Sequence, residues 1–359
     1  MGLDRHSLRR AMHKVGRRLR HLAGRPDNAP WVLLPRRSRG RASYADFVFA
    51  LDYLSTNAPM LRLMHEAFSA YGLSVLLVNK NNVERATRDV AAGRLHPHVY
   101  LDLSSRPGCP FERLLYQAAQ QGIYTIRRPE EEQFVNKATS HVIFERAGLP
   151  VPPTIFFKPG EPDRDLTADE RRRLGDRCVI KPSFGEAAKG VKLDQPPTQA
   201  AISAARDYNR DDQWLVQKMI HWTRCGERPA YLRAYSICGR RSLLWWSTER
   251  HGYDLLSWQD VHRYDLLPAL DLVARVAQVT KMDFFSTELA AVEGDTQRFW
   301  MIDYCNDQCD VDAEGGATGS PPRTWTRWVY RQFAELTWRL KHSLPRPDDG
   351  AICLPTTTE

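Results

Sequence analysis

Hydrophobic positions along the chain fall into short strand-like runs separated by stretches of helical spacing. Tyr44–Leu54 (YADFVFALDYL) is rich in aromatic and β-favouring residues and predicts a first strand. After a stop at Asn57-Ala-Pro, the residues Leu61, Met64, Ala67, Phe68 and Tyr71 recur at helical spacing, and Gly72 closes the segment. Leu73–Val78 and His98–Leu103 predict two more strands, Phe111–Gln121 a helix ended by Gly122, and Ile123–Ile126 a fourth strand. Strands alternating with helices imply a parallel sheet with crossover helices, so residues 44–130 predict a small α/β lobe. No GxGxxG follows the first strand, which excludes the dinucleotide-binding fingerprint.

The second half has a different rhythm. Glu130–Gly148 predicts one helix, followed by an exit stiffened by Pro150, Pro152 and Pro153. Lys158–Arg173 is read as a loop and short helix. Cys178–Lys181 predicts a strand that runs into the glycine-bearing loop Pro182–Gly190. Trp214–Gln217 predicts a strand, and Tyr231–Ile237 with Ser242–Ser247 a hairpin turned at Gly239. Leu266–Thr280 predicts a helix, and His251, His262 and Arg263 fall in the loop before it. Phe284–Val292 and Phe299–Ile302 predict antiparallel strands around Glu293-Gly-Asp295. Trp325–Leu340 predicts an amphipathic helix covering a core.

Composition narrows the class. At 359 residues, 42% hydrophobic and 26% charged, the chain has the make-up of an ordinary globular protein of two or three lobes. No apolar run has bilayer-spanning length, and no signal core follows Met1, so a cytoplasmic location is expected. Seven cysteines without a repeated CxxC pair argue against a disulfide framework. Residues 1–43 carry twelve Lys/Arg against two Asp/Glu, while the whole chain is only +8, so the body is close to neutral and the leader is basic. A solvated arm is the plainer reading of that leader; an anionic surface is the partner it would fit, and no specific nucleic acid is expected.

Candidate chemistry gathers in three places. Asp303 and Asn306, in Ile302-Asp-Tyr-Cys-Asn-Asp-Gln308, are expected where a buried strand ends, and hard oxygen ligands there suit Mg²⁺. Lys181 lies on a predicted buried strand, where an ammonium is costly unless it meets an anion. Gly185 and Gly190 let backbone approach a phosphate closely, and Lys189 adds positive charge; a charged hairpin with turn glycines is the structural alternative. The GxxxxG is followed by Val191 rather than Lys-Ser/Thr, so it is not a Walker loop. Arg233 is placed to meet a phosphoryl or acyl-phosphate oxygen, or else to serve as a cross-strand partner. Cys305 and Cys309 have no second Cys/His pair to make a zinc site. Asp307, Asp310 and Asp312 alternate like calcium ligands, but the required Gly and Glu are misplaced.

Taken in order, NKATSHVIFERAGLPVPPTI, CVIKPSFGEAAKGV, WLVQKMI, YLRAYSICGR and FFSTELAAV…FWMIDYCND, over roughly residues 130–310, resemble the ATP-grasp superfamily, in its carboxylate-amine ligase-like form. The resemblance implies an α+β architecture: an N-terminal parallel α/β lobe, then a two-lobed domain with antiparallel sheets. The implied boundaries are a basic leader at 1–43, the lobe at 44–130, the ATP-grasp domain at 131–320 and a C-terminal helix and tail at 321–359. It implies that Lys137 and Lys181 hold ATP phosphates and that Gly185–Gly190 closes over them. Gln217, Lys218, Met219 and Ile220 would line the adenine, with Glu227 on the ribose. Glu288, Asp303 and Asn306 would hold Mg²⁺, with Mn²⁺ as a substitute. Members usually have acid-x-Asn, whereas this chain has Asp303-Tyr-Cys-Asn306, one residue longer. Either the strand bulges at Tyr304-Cys305, or Asn306 is displaced and Asp307 or water completes the shell. The implied activity is ATP-dependent ligation of a small-molecule or peptide substrate. A small-molecule kinase of the inositol-polyphosphate type and an ATP-binding protein without turnover are the alternatives.

Overall fold

The computed structural model describes residues 31–33, 45–52, 58–185, 188–250, 252–292, 298–312, 319–347, 352 and 354. Two compact units emerge. One draws on the chain up to Arg128 and on Asp310–Arg346, the other on Pro129–Cys309 and the segment from Pro347. No helix among the described residues is long and apolar enough to cross a membrane.

The first unit is a five-stranded sheet. Strands β1 (Trp31–Leu33), β2 (Phe47–Ala50), β3 (Val75–Val78), β4 (Val99–Asp102) and β5 (Tyr124–Ile126) lie in the order β1-β3-β2-β4-β5. β2 to β5 run parallel, as the alternation of strands and helices predicts, and β1 is antiparallel to β3. Every residue of β2, β3 and β4 is buried, as a parallel sheet covered on both faces requires. Crossovers are made by α1 (Ala58–Ala70), α2 (Val83–Ala91) and α3 (Pro110–Gln120). The hydrophobic pattern does not predict α2, whose buried stripe of Val83, Ala86, Thr87 and Val90 holds few large apolar side chains. The helix Arg323–Lys341 packs on α1; Phe333 stacks 6.1 Å from Phe47, and Lys341 Nζ donates to Asp46 at 2.8 Å. Of the basic leader expected over 1–43, only Trp31–Leu33 is described, and it pairs with β3 at the edge of the sheet.

The second unit holds two antiparallel sheets. Its entry departs from the single helix expected over Glu130–Gly148. Pro129–Phe134 is a 3₁₀ turn, and α4 (Lys137–Arg146) starts afresh because the Asn136 side chain accepts the Thr139 N–H as an N-cap. Strands β6 (Thr154–Phe157), β7 (Cys178–Pro182), β8 (Lys192–Gln195) and β9 (Trp214–Lys218) form one sheet in the order β6-β9-β7-β8. Helices α5 (Ala168–Leu174) and α6 (Gln199–Arg206) bring Leu174 and Ile202 onto Phe157, Ile180, Trp214 and Val216. Strands β6 and β8 and helix α6 go beyond the sequence prediction. In α6, the buried guanidinium of Arg206 donates through Nη1 to Asp163 and through Nη2 to the carbonyls of Lys158 and Glu161.

The other sheet follows a two-residue ribbon, β10 (Arg224–Cys225) and β11 (Arg228–Pro229). Strands β12 (Tyr231–Ile237), β13 (Arg240–Ser247), β14 (Gly252–Leu255), β15 (Phe284–Ala291) and β16 (Phe299–Asn306) take the order β14-β13-β12-β15-β16. The β12–β13 turn is Cys238-Gly239, both at positive φ (50° and 87°), which matches the twist of a two-residue hairpin. Helices α7 (Trp258–Arg263) and α8 (Leu267–Thr280) follow β14. His262 and Arg263, expected in a loop, close α7, which the Ser257–Asp260 capping box starts; His251 lies outside the described residues. α8 sets Leu270, Val273 and Val276 against Leu232, Ala234, Leu289 and Met301. Leu354, near the chain end, is buried in the same core, and Ile352 bridges to Arg241.

Candidate active site

Lys181 enters from β7 and is 5% exposed. Its Nζ donates to the Ile302 carbonyl at 2.9 Å and lies 5.2 Å from the centroid of the Tyr304 ring. Burial pushes the ammonium down to about 8; Asp303 and Glu288 oppose the drop and Lys137 adds to it. A lysine so placed gains from any anion that arrives beside it.

Both acids come from the facing sheet. Glu288 on β15 is paired in register with Arg233 on β12 and with Asp303 on β16, so the three form one rung. Tyr231 Oη donates to Glu288 Oε2 at 2.5 Å, and Arg233 Nη1 donates to Oε1. Arg233 is therefore a cross-strand partner, and a half-buried one. Asp303 differs: its Oδ1 is buried without a hydrogen-bond partner. Burial raises the Asp303 pKa, but Lys137, Lys181, Arg233 and the Tyr304 N–H together leave it below its usual value. It stays charged.

The long spacing before Asn306 is taken up by bulges. β16 does not end at Ile302 but runs on through Asn306. Leu289 pairs with Met301, Glu288 with Asp303 and Ser286 with Asn306, so β16 holds one extra residue in each interval. Ser286 and Glu288 are two apart and share a face, which returns their partners Asp303 and Asn306 to that face together. Tyr304 and Cys305 both turn into the core instead. Thr287 Oγ1 pins the turn by donating to the Asp303 carbonyl at 2.7 Å.

Lys137 is the first residue of α4. Its Nζ donates to the Gly185 carbonyl at 2.9 Å and its N–H to the Ser183 carbonyl at 3.1 Å. Ser183 Oγ donates to the capping Asn136 and accepts the Ala138 N–H, so the start of α4 and the start of the glycine loop are locked together. Gly190, at φ +75°, closes the loop; a Cβ there would meet the Tyr208 ring at 2.8 Å. Lys189 is exposed, and residues 186 and 187 lie outside the described ones.

The hinge residues divide. Ile220 is buried beside Tyr231 and Ala290, next to Ile302 and Trp222. Lys218 and Met219 donate their N–H groups to Pro153 and Arg177 within the sheet. Gln217 is turned inward, its Nε2 donating to Thr154 Oγ1 at 3.0 Å and to Tyr304 Oη at 2.8 Å. Glu227 sits on the exposed two-residue tip between β10 and β11, its carbonyl held by Arg224 of the same ribbon.

One buried network escapes sequence reasoning. Tyr304 Oη accepts from Gln217 and pairs with His141 Nδ1 at 2.5 Å. Burial raises the phenol's pKa and lowers that of His141 to about 4, with Lys181 and Arg173 adding to the latter, so both stay neutral. The pair is then a hydrogen bond between a neutral phenol and a neutral imidazole, its donor set by the imidazole tautomer. A tyrosine next to a strand aspartate looks like ordinary core; the one signal was the extra residue before Asn306.

As a metal site the set is sparse. Among the described residues no three His, Cys, Asp or Glu cluster as ligands. Two carboxylates and a carboxamide nonetheless suit Mg²⁺, which keeps waters and takes phosphate oxygens for the rest. The unpartnered Asp303 Oδ1 is the acceptor such an ion would satisfy. Cys305 and Cys309 are buried thiols outside any disulfide, the latter donating to the Asn306 carbonyl.

No family model matches the sequence, and no curated protein does. Solved structures do. The ATP-grasp ligase PsnB, complexed with minimal precursor, Mg and ADP, matches with a TM-score of 0.54 at 14% identity, covering 83% of this chain and 98% of that one. A RimK domain protein ATP-grasp from Sphaerobacter thermophilus matches at 0.52 and 16%, covering 74% and 92%. D-cycloserine synthetase DcsG matches at 0.51 and 16%, covering 82% and 99%. The chain has the ATP-grasp fold.

Proposed function

We propose that the chain is an ATP-dependent ligase that joins a carboxylate to an amine through an acyl phosphate. The observation that carries this reading is the meeting, inside one unit, of a buried lysine from one sheet with a rung of carboxylates from the other, one oxygen of which has no partner. Lys137 and Lys181 would hold the phosphates, with Gly185, Lys189 and Gly190 over them. Gln217 to Ile220 would line the adenine and Glu227 would meet the ribose. Glu288, Asp303 and Asn306 would hold Mg²⁺, or Mn²⁺ in its place. The metal, when bound, neutralises charge on the transferring phosphoryl group.

A substrate carboxylate oxygen attacks the γ-phosphorus, the bond to the β,γ-bridging oxygen breaks, and ADP leaves. An amine then attacks the acyl carbon, phosphate departs, and the nitrogen loses its proton. Arg233, whose Nε is buried and unpartnered, is the donor we assign to the phosphoryl oxygens. The chain supplies orientation and charge rather than a covalent nucleophile. A structure of PsnB with precursor, Mg and ADP supports a peptide or small molecule as the second substrate, and a cytoplasmic setting would supply the ATP.

Incubation with MgATP and panels of acids and amines tests the reading. ADP and phosphate release that needs both partners is the expected result. A phosphorylated product without condensation would make it a kinase, and tight ATP binding with no ADP under any panel would leave a binding protein.

A further inference from the structure

Resting on the nucleotide site proposed above, we propose that Tyr304 is a positioning residue whose ring is the platform that fixes the Lys181 ammonium for phosphate. Three observations converge. The ring centroid lies 5.2 Å from Lys181 Nζ, within the range at which an aromatic face attracts a cation. The ring cannot drift, because Gln217 Nε2 donates to its hydroxyl, His141 Nδ1 pairs with it, and the rings of His141 and Phe144 meet it edge-on. The bulges deliver the rest. Ile302 is the extra residue between the Leu289–Met301 and Glu288–Asp303 pairs, which takes its carbonyl off the ladder and frees it for Lys181. The second extra residue turns Tyr304 inward and still returns Asn306 to the face of Asp303. The longer spacing between Asp303 and Asn306 thus has a use: it puts a ring beneath the lysine while keeping both oxygen ligands together.

A positioning role for Lys181 touches the phosphates alone, so the test compares two ligands. Calorimetry would give ATP and adenosine affinities for the wild type, Tyr304→Leu, Tyr304→Phe, Lys181→Ala and the Lys181→Ala/Tyr304→Leu double variant. Tyr304→Leu is expected to weaken ATP about tenfold and leave adenosine within about twofold. Its effect on ATP should vanish in the Lys181→Ala background, since no ammonium remains to be placed. Tyr304→Phe keeps the ring but loosens it, and should weaken ATP about threefold; it carries the test if the leucine variant does not fold. Equal losses for ATP and adenosine, unchanged ATP affinity in either variant, or full additivity with Lys181→Ala would overturn the proposal. A wild type that binds adenosine and ATP equally would instead sink the nucleotide reading beneath it.

Discussion

Lys181 is almost dry and Asp303 half-buried; Asp303 and Glu288 favour the charged lysine, and Lys137, Lys181 and Arg233 favour the charged aspartate. Removing the ammonium with Lys181→Ala should weaken ATP binding about ten- to hundredfold, the worth of about 1.5–3 kcal/mol for a hydrogen bond to a charged group. Asp303→Asn should leave nucleotide affinity measurable by calorimetry while abolishing turnover; wild-type turnover would remove the metal role. His141 gives a second residue-scale expectation. Its pKa falls from 6.5 to about 4 on folding, so the unfolded chain takes up the proton first. Stability is then complete above pH 6.5 and declines as pH falls towards 4, by roughly 3 kcal/mol in all. Urea titrations across that window should show His141→Gln with a shallower slope than wild type.

At the scale of elements, what the sequence reveals depends on how local the cause is. The strand bearing Lys181, the β12–β13 hairpin and the acids of β15 and β16 follow from runs of apolar residues and from turn residues such as Gly239. The break before α4 does not, because it hinges on one Asn136 cap inside an otherwise helical pattern. Strand β8 does not either: its residues Lys192, Leu193 and Asp194 are exposed. Its register against β7 shifts, and Asp194 has φ 52°, so it reads locally as loop. Such a short, irregular edge discourages further strand pairing. The double bulge of β16 is signalled by the spacing of Asp303 and Asn306, but choosing between bulge and displacement takes the partner strand. Gly190 offers an element-scale test. Gly190→Ala combines a left-handed φ with a 2.8 Å approach to Tyr208, and should cost about 1–3 kcal/mol by chemical denaturation. Adding Tyr208→Ala should return the steric part and leave the backbone part.

For the whole molecule, the site residues all fall in the unit spanning Pro129–Cys309, yet that unit also depends on the far end of the chain. Leu354 is buried beside Ala234 and Val273 in its core, so Leu354→Ala should cost about 2–5 kcal/mol in a denaturant midpoint shift. A stop after residue 347 should do at least as much harm, although it leaves every proposed ligand in place.

The first unit has the complementary dependence. Asp46 and Lys341, 295 residues apart, hold its sheet to the helix Arg323–Lys341. On a ribosome, then, the lobe made first must wait for its closing helix until the lobe made second has emerged. The other unit must wait longer still, for Leu354, and the N-terminal sheet spends most of synthesis with one flank bare. Chaperone dependence during translation, rather than equilibrium stability, is where that circuitous path would register.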